Sequence, residues 1–598
     1  GGHWAFRSDL VREVAYGRLT KFDRQTRHLK IAQHLVALGS GRFMDNGFVE
    51  LVARHFGEAQ RLSAELGAQG VASETLVTDT RLWSAEAARR FEQTAAWPTV
   101  DRHLTVALSC CVDGEDEPER LGYLLSRSHA RGEMWRLEEA KSDAVEALEL
   151  AERLDGPLGR ARSHLCLGEL AGRLGNSVEA IAELSDSLQR FDQLNDRSGQ
   201  AHASRALGMA ELFRSAPASA EPHITRALEA YREVQDQRGQ AWALQNLAWI
   251  AFVSGDVEAA EHRLGASSAA FRKLGDPGGL LWTDGLLAFL RLFQGRLDEA
   301  RAIATRTSLE GQRRGERWGE AMMMIVLGAV QLWEGETAEA VRSARRSVGL
   351  FRDLGDAVGL EDALGLLSRA LVMSGEIQEG VGLAQESVAA HRDSSAVSGV
   401  LGVTIRTAIG VQLGDLAMVD GTGGLDVLRS QIEGGGRSDQ EAGLILGYLQ
   451  TGRLSAASEL IGGSADGGSP LAPSMVAAGA MVAACLGDEN ACAALAGRLE
   501  ELHPSTYIDR LLLGISQALC RPEDFRELLR QSTLELDGTG DKLHRAILNC
   551  CKAAIASTLG EVDARQLCES SSLELAELGI RCDGWKAVFQ QALSHWEP

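Results

Sequence analysis

The sequence predicts an all-α protein, a solenoid of stacked helix pairs, and three observations predict it. Composition is the first: 598 residues include only 11 Pro and 15 Phe while Ala, Leu, Glu and Arg abound, a mixture that favours helix throughout. The second is a period. Leu167, Leu207, Leu247, Leu287, Leu327 and Leu367 recur every forty residues without an insertion, each followed by Gly168, Gly208, Ala248, Ala288, Gly328 or Ser368. The third is punctuation: Gly175, Gly255, Gly295, Gly335 and Gly375 share one phase, where glycine ends a helix in the left-handed region at no Cβ cost.

The repeat unit follows from these columns. Ala180, Ala220, Ala260, Ala300, Ala340 and Gly380 lie thirteen residues after the leucines, with Ala140 one unit back, and form the small positions of a second helix that approaches the first closely. A further column reads Gly159, Gly199, Gly239, Gly279, Gly319, Gly359 and Gly399. Ser215 interrupts the turn column, but Pro217 still breaks the helix there. Starts such as GDVEAA (255–260) and GRLDEA (295–300) put acids in the first turn, where they complement the helix dipole. Such a unit cannot bury its apolar face alone and stacks on its neighbours.

Small-residue columns at these offsets resemble tetratricopeptide repeats in a longer, forty-residue form, over residues 120–400. The usual unit is about 34 residues, and the additional length is expected in the linker around LGDPGG (274–279). The resemblance implies a right-handed superhelix whose concave surface is lined by the first helix of each pair. One more pair is expected at 83–108. Residues 401–598 are expected to be degenerate repeats with glycine-rich breaks at 419–425, 433–437 and 461–470. The division is therefore 1–75, 76–400 and 401–598.

Before the repeats, FRSDLVREVAYGRL (6–19) places Phe6, Leu10, Val11, Val14, Ala15 and Leu19 on one helical face, followed by a second basic helix through His28 and Leu35. Residues 1–60 carry a net +3, which leaves −25 for the rest. With FVELVARHFGEAQRL (48–62), this stretch resembles the helical, winged-helix-like segment that joins an AAA-like ATPase of the STAND class to a tetratricopeptide sensor in bacterial, notably actinobacterial, signalling proteins that begin with a class III nucleotide cyclase. The resemblance implies an ATPase and an adenylate or guanylate cyclase upstream, with Arg7, Arg12, Tyr16 and Arg18 as interdomain contacts. Many relatives carry His where this chain has Ser8. An opening of Gly-Gly in place of Met fits a piece of a longer protein. An ordinary capping helix pair with a solvated basic face is the alternative for residues 6–35.

Several chemistries are not supported. The formal charge of −22 argues against general nucleic-acid binding, which needs clustered Lys and Arg. No apolar run approaches the roughly 20 residues that cross a bilayer. There is no GxxxxGK[ST], GxSxG, HExxH or EF-hand loop, and GTGDKLHR (538–545) reads as an ordinary loop. The ten cysteines have no CxxC spacing and read as buried free thiols. His103, His129, His164, His202, His223 and His262 lie on separate helices and read as surface or hydrogen-bonded core residues. Glu115, Asp116, Glu117 and Glu119 read as a solvated helix start. No catalytic residue, metal site or cofactor is expected. The end of the chain, 582–598, lacks the motif and basic charge of a LuxR-type DNA-binding helix.

The expected site is a groove. Counting each repeat from Ala161, Ala201, Ala241, Leu281, Ala321 and Glu361, inward positions two, five and nine are polar in the flanking repeats and aromatic in the middle ones. Trp242, Trp249, Trp282 and Phe289 are expected to converge there with Gln245, Gly285, Met322 and Ile325, while positions ten, twelve and thirteen (Ile250, Phe252, Val253; Leu290, Leu292, Phe293) supply the buried face. Rings tucked between helices are the alternative. The expected function is a cytoplasmic regulatory module, not itself an enzyme. It takes a peptide, protein or small apolar ligand in the groove and controls the upstream domains. A passive scaffold or homo-oligomerisation arm, and the sensor region of a LuxR- or SARP-like regulator, are the alternatives.

Overall fold

In the computed structural model, the described residues are 13–596 apart from 15, 40–44, 68–73, 113, 215, 390–395, 421–422, 434–437, 467–472 and 503–505. The chain is an all-α array of tetratricopeptide-like helix pairs, and no strand occurs among the described residues. It divides into two compact units, Gly1–Ile250 with Ala269–Gly279, and Ala251–Ser268 with Leu280–Pro598.

The glycine turns form as the spacing predicts. Gly175, Gly255, Gly295, Gly335 and Gly375 take φ from 65° to 95°, and each ends the first helix of a pair. The small column brings the two helices of a pair together: a methyl group at Gly168 would lie 2.5 Å from Leu184, and one at Gly208 2.5 Å from Ile224. Ser368 uses the same closeness to donate to the Gly380 carbonyl at 2.6 Å, as Ser128 does to that of Ala140 at 2.8 Å.

The linker expectation is corrected. Helices Val257–Leu274 and Pro277–Phe293 run 18 and 17 residues, so only Gly275 and Asp276 separate them. The period of forty comes from long helices and not from a long loop.

The remaining glycine column has a packing cause. Four of these glycines, Gly199, Gly239, Gly279 and Gly359, sit in the first turn of their helices, each under a ring from the helix before it, while Gly159 packs under Leu121 and Ala151. A methyl group would lie 2.1 Å from Phe191 at Gly199, 2.3 Å from Tyr231 at Gly239, 2.2 Å from Phe271 at Gly279 and 2.3 Å from Phe351 at Gly359. The Asp that begins each of these helices accepts the same glycine's N–H, Asp196 at 3.0 Å and Asp236 at 2.9 Å, so cap and ring fix one residue from two sides. Where Gly311 takes the ring's place, Gly319 meets nothing closer than Leu281 at 3.7 Å.

The two units differ in how their cores are joined. In the first, small apolar clusters follow one another along the chain, 32–76, 161–210 and 201–250 among them, each shared by neighbouring helices. In the second, one cluster runs from Ala321 to Leu593. Its cause is a change of course after Cys520. Pro522–Asp524, Phe525–Leu528 and Arg530–Asp537 carry the chain back, until the Gly540 N–H reaches the Gly335 carbonyl at 3.1 Å. Helices Lys542–Leu559, Ala564–Leu578 and Asp583–Leu593 then follow the row of turns. Gly584 donates to the Gly414 carbonyl at 2.8 Å, the Trp585 indole to that of Gln412 at 3.0 Å, and the His595 ring to that of Cys485 at 3.0 Å. At Gly335 and Gly414 a Cβ would also strike Thr539 at 2.4 Å and Trp585 at 2.7 Å, so these two turns need glycine for space as well as for φ.

Gly199→Ala is expected to cost about 1–3 kcal/mol through overpacking against Phe191, while Gly319→Ala is expected to be neutral or to gain up to about 1 kcal/mol by removing backbone freedom. Native-state hydrogen exchange in the helices on either side of each glycine reads both. Trp585→Phe, which leaves the Gln412 carbonyl without its donor, is expected to cost about 1 kcal/mol, with faster exchange over Asp583–Leu593 and none of the change in the first unit.

Candidate functional site

The first helix of each pair buries positions one and three and leaves position two at the surface. Ala201, Ala203, Ala241 and Ala243 are fully buried, whereas His202 and Trp242 between them are half-buried. Position nine repeats this with Glu169, Met209 and Trp249, all half-buried. The sequence thus sorts one helical face toward the neighbouring pairs and leaves a partly open stripe beside it.

In the first unit this stripe holds Trp242, Gln245 and Trp249. Trp242 stands edge-on to Phe271 with ring centres 5.1 Å apart, and Trp249 edge-on to Phe213 at 5.6 Å. Gln245, expected to line the groove, is instead buried at 2 % exposure and accepts from the Asn246 side chain at 2.7 Å. A polar ladder leads up to them. Arg173 pairs with Glu133 and also donates to the Gly132 carbonyl; Arg205 lies 3.7 Å from Glu169 and donates to Asn246 at 3.5 Å. Burial acts to raise the Glu133 carboxyl, but Arg173 and His129 overcome it and hold it at about 2. Ser128, His129, Cys166, Glu169, Leu170 and Arg173 line a recess of about 10 Å³, room for one water.

In the second unit the stripe holds Trp282, Gly285, Phe289, Met322 and Ile325, all half-buried. Trp282 stacks on Trp318 at 4.7 Å and 19°, and the Trp318 indole donates to Asp356 at 2.7 Å. Burial raises the Asp356 carboxyl, while the N–H groups of Gly359, Trp318 and Val358 oppose the rise. The space left by Gly285 faces the Met323 methyl, 3.5 Å from where a Cβ would stand. The buried-face expectation is corrected at position thirteen. Ile250, Leu290 and Leu292 are buried and Phe252 is half-buried, but Val253 is 42 % exposed and Phe293 39 %. Position thirteen is the last residue of these 17-residue helices, where it is only partly covered.

Of the expected interdomain contacts, Arg7 and Arg12 lie outside the described residues, as does Ser8. Arg18 is exposed, and Tyr16 is engaged within its own module. The Tyr16 hydroxyl hydrogen-bonds His28 at 3.0 Å, His28 hydrogen-bonds His55 at 2.7 Å, and the Arg24 guanidinium lies 4.7 Å above the Tyr16 ring. Burial, with help from His28 and Arg54, pulls the His55 imidazole down to about 4.

Sequence reasoning missed the ladder. Its signal was present as complementary polar residues about one period apart: Glu133 and Arg173, of opposite charge, are forty residues apart, and Arg205 and its acceptor Asn246 forty-one. Asp116, expected to be solvated, forms an ion pair with Arg81 at 2.5 Å. Among the described residues no three His, Cys, Asp or Glu side chains are placed to hold a metal ion, and no helix is long and apolar enough to cross a membrane.

No family model and no curated protein matches the chain. Solved structures do. A Rap protein in complex with Competence and Sporulation Factor is 13 % identical over 60 % of this chain and 99 % of its own, with a TM-score of 0.39. The STAND protein PH0952 of Pyrococcus horikoshii, with a tetratricopeptide repeat sensor, is 12 % identical over 72 % of this chain and 55 % of its own, with a TM-score of 0.30. Aspartyl phosphate phosphatase F of Bacillus subtilis is 11 % identical over 67 % and 98 %, with a TM-score of 0.34. No residue role passes from these proteins to this chain.

His55 titrates near 4 when folded and near 6.5 when unfolded. The folded state therefore binds fewer protons between those values, and its stability is complete above pH 6.5 and falls as pH drops toward 4. Faster exchange of helices Lys21–Gly39 and Asn46–Leu66 at pH 5 than at pH 7, after correction for intrinsic rates, is the expected result, and His55→Gln should flatten that dependence.

Proposed function

We propose that this chain is a regulatory interaction module whose first-helix stripes receive a peptide or a segment of another protein. The observation that carries this reading is the pair of half-buried indoles, Trp242 and Trp249, seven residues apart on one helix, with Gln245 and Asn246 buried between them in the sequence. Partly exposed indoles already held against neighbouring rings lose little entropy when a partner covers them, and such residues dominate binding energies. The ladder beside them is net neutral in its pairs, so it can address polar side chains of a partner without demanding one sign of charge. The open stripe of the second unit, with Trp282, Phe289, Met322 and Ile325, offers the same chemistry in a separate place. A segment laid along such a stripe suits it better than a small apolar molecule, which needs an enclosing pocket of some hundreds of Å³.

In this proposal, occupancy is passed through the winged-helix-like module of residues 1–75 to an upstream STAND-type ATPase, and through it to a nucleotide cyclase. The support is the motif at 6–19 and the basic charge of that module. A ligand that binds one state of the repeats better than the other would shift the switch by that difference in affinity.

Selection of a displayed random peptide library on this chain is expected to enrich sequences with aromatic or long aliphatic residues. Trp249→Ala should weaken the peptides that bind the first unit by tenfold or more, about 1.4 kcal/mol, and Trp282→Ala those that bind the second, with the helical circular dichroism of both variants retained. Selected peptides that bind both variants as tightly as the parent would remove the stripes from the account.

A further inference from the structure

Ten cysteines are present and all are free, but two of them face each other. Cys492 lies in the first turns of helix Glu489–Glu501, and Cys520 is the last residue of helix Tyr507–Cys520. The ion pair between Arg521 and Glu489, at 3.8 Å, independently brings the end of one helix to the start of the other. There the Cys492 and Cys520 side chains come within interaction distance of each other, both packed in the same apolar core. Cys492 is buried at 1 % exposure, while Cys520 is half-buried and open to small solutes. Cys485, at the end of the neighbouring helix, is also near Cys520, but it directs its own thiol 3.8 Å to the Val588 carbonyl.

We propose that Cys492 and Cys520 are a redox-sensitive dithiol that hydrogen peroxide, or another small hydroperoxide, converts to a disulfide. The accessible partner reacts first. The Cys520 thiolate attacks one peroxide oxygen and the O–O bond breaks; sulfur gives up two electrons and becomes a sulfenic acid, and the second oxygen leaves as water after taking a proton. The Cys492 sulfur then loses its proton and displaces the sulfenic hydroxyl as a second water, so that two thiols and one hydrogen peroxide yield one disulfide and two waters.

The electrostatics agree with this order. The interaction with Cys492 lowers the Cys520 thiol below its ordinary range, against burial and the carboxylates of Glu489 and Asp488; the same interaction, with burial, raises Cys492. A lowered and accessible thiol beside a buried resolving one is the arrangement that oxidises reversibly. The disulfide would close beside Arg521 and Pro522, where the chain leaves the helix pairs to return toward Gly335, and would fasten that point of departure.

The full chain treated with hydrogen peroxide, alkylated and digested without reduction should give a Cys492–Cys520 linked peptide, with a loss of two hydrogens that dithiothreitol reverses. The link should form roughly ten times faster than half-buried Cys111, Cys166 or Cys568 is oxidised. Cys492→Ser should leave a sulfenic acid at Cys520 that dimedone traps. A wild-type chain that accumulates dimedone-labelled Cys520 without the link, or in which the other cysteines oxidise while this pair stays reduced, would overturn the proposal.

Discussion

The seating of an aromatic ring on the bare backbone of a glycine, in the first turn of the following helix, governs how successive pairs meet. At Phe191 and Gly199, Tyr231 and Gly239, Phe271 and Gly279, and Phe351 and Gly359, the ring occupies the volume a Cβ would need. Ring and glycine are eight positions apart, so the turn of two or three residues between them cannot lengthen without unseating the ring. The Asp cap accepts the same glycine's N–H and holds the helix start in place while the ring presses on it. Where the ring is present it fixes the length of the turn, and the layers at Gly159 and Gly319 keep the same period without one. The Gly311 layer illustrates the dependence: without a ring the helix start moves in, and a methyl at 311 would lie 3.3 Å from the Glu316 carbonyl.

The second unit adds a demand that acts over a long distance. Its turn glycines end helices as those of the first unit do, yet at Gly335 and Gly414 the open side of the turn is taken by the returning chain. Hydrogen bonds to the Gly335, Gln412 and Gly414 carbonyls satisfy acceptors that the end of a helix otherwise leaves to water. Layer-by-layer cores become one core from Ala321 onward for this reason. The first unit builds its apolar clusters between neighbouring helices, although Gly278 comes close to Ala95 and Arg238 acts on Glu92 across several repeats.

The candidate stripes owe their character to the same packing. Small residues at positions one and three let neighbouring pairs approach, and the large side chains at positions two and nine are thereby left at the edge of the contact, half covered. Indoles in that place meet edge-on or stacked rings, Phe271 and Phe213 in the first unit and Trp318 in the second, and stay half-buried. Gln245, on the same helix, is buried and accepts from the Asn246 side chain.

Much of this was written in the chain order. The Leu, small-residue and turn-glycine columns are contacts between residues less than one repeat apart, and such contacts leave a period that can be read directly. The half-exposure of Trp242, Trp249, Trp282 and Phe289 follows from the same count. Helix length was misjudged because a period states the sum of helices and turns, and cannot apportion it between them. The ladder from Glu133 to Asn246 left a spacing near one period that was missed. The pairing of Cys492 with Cys520 and the bond between Trp585 and the Gln412 carbonyl, 173 residues away, were decided by tertiary structure alone. Each of these two joins residues whose separation carries no signal until neighbouring helices, or a returning chain, have been packed into place.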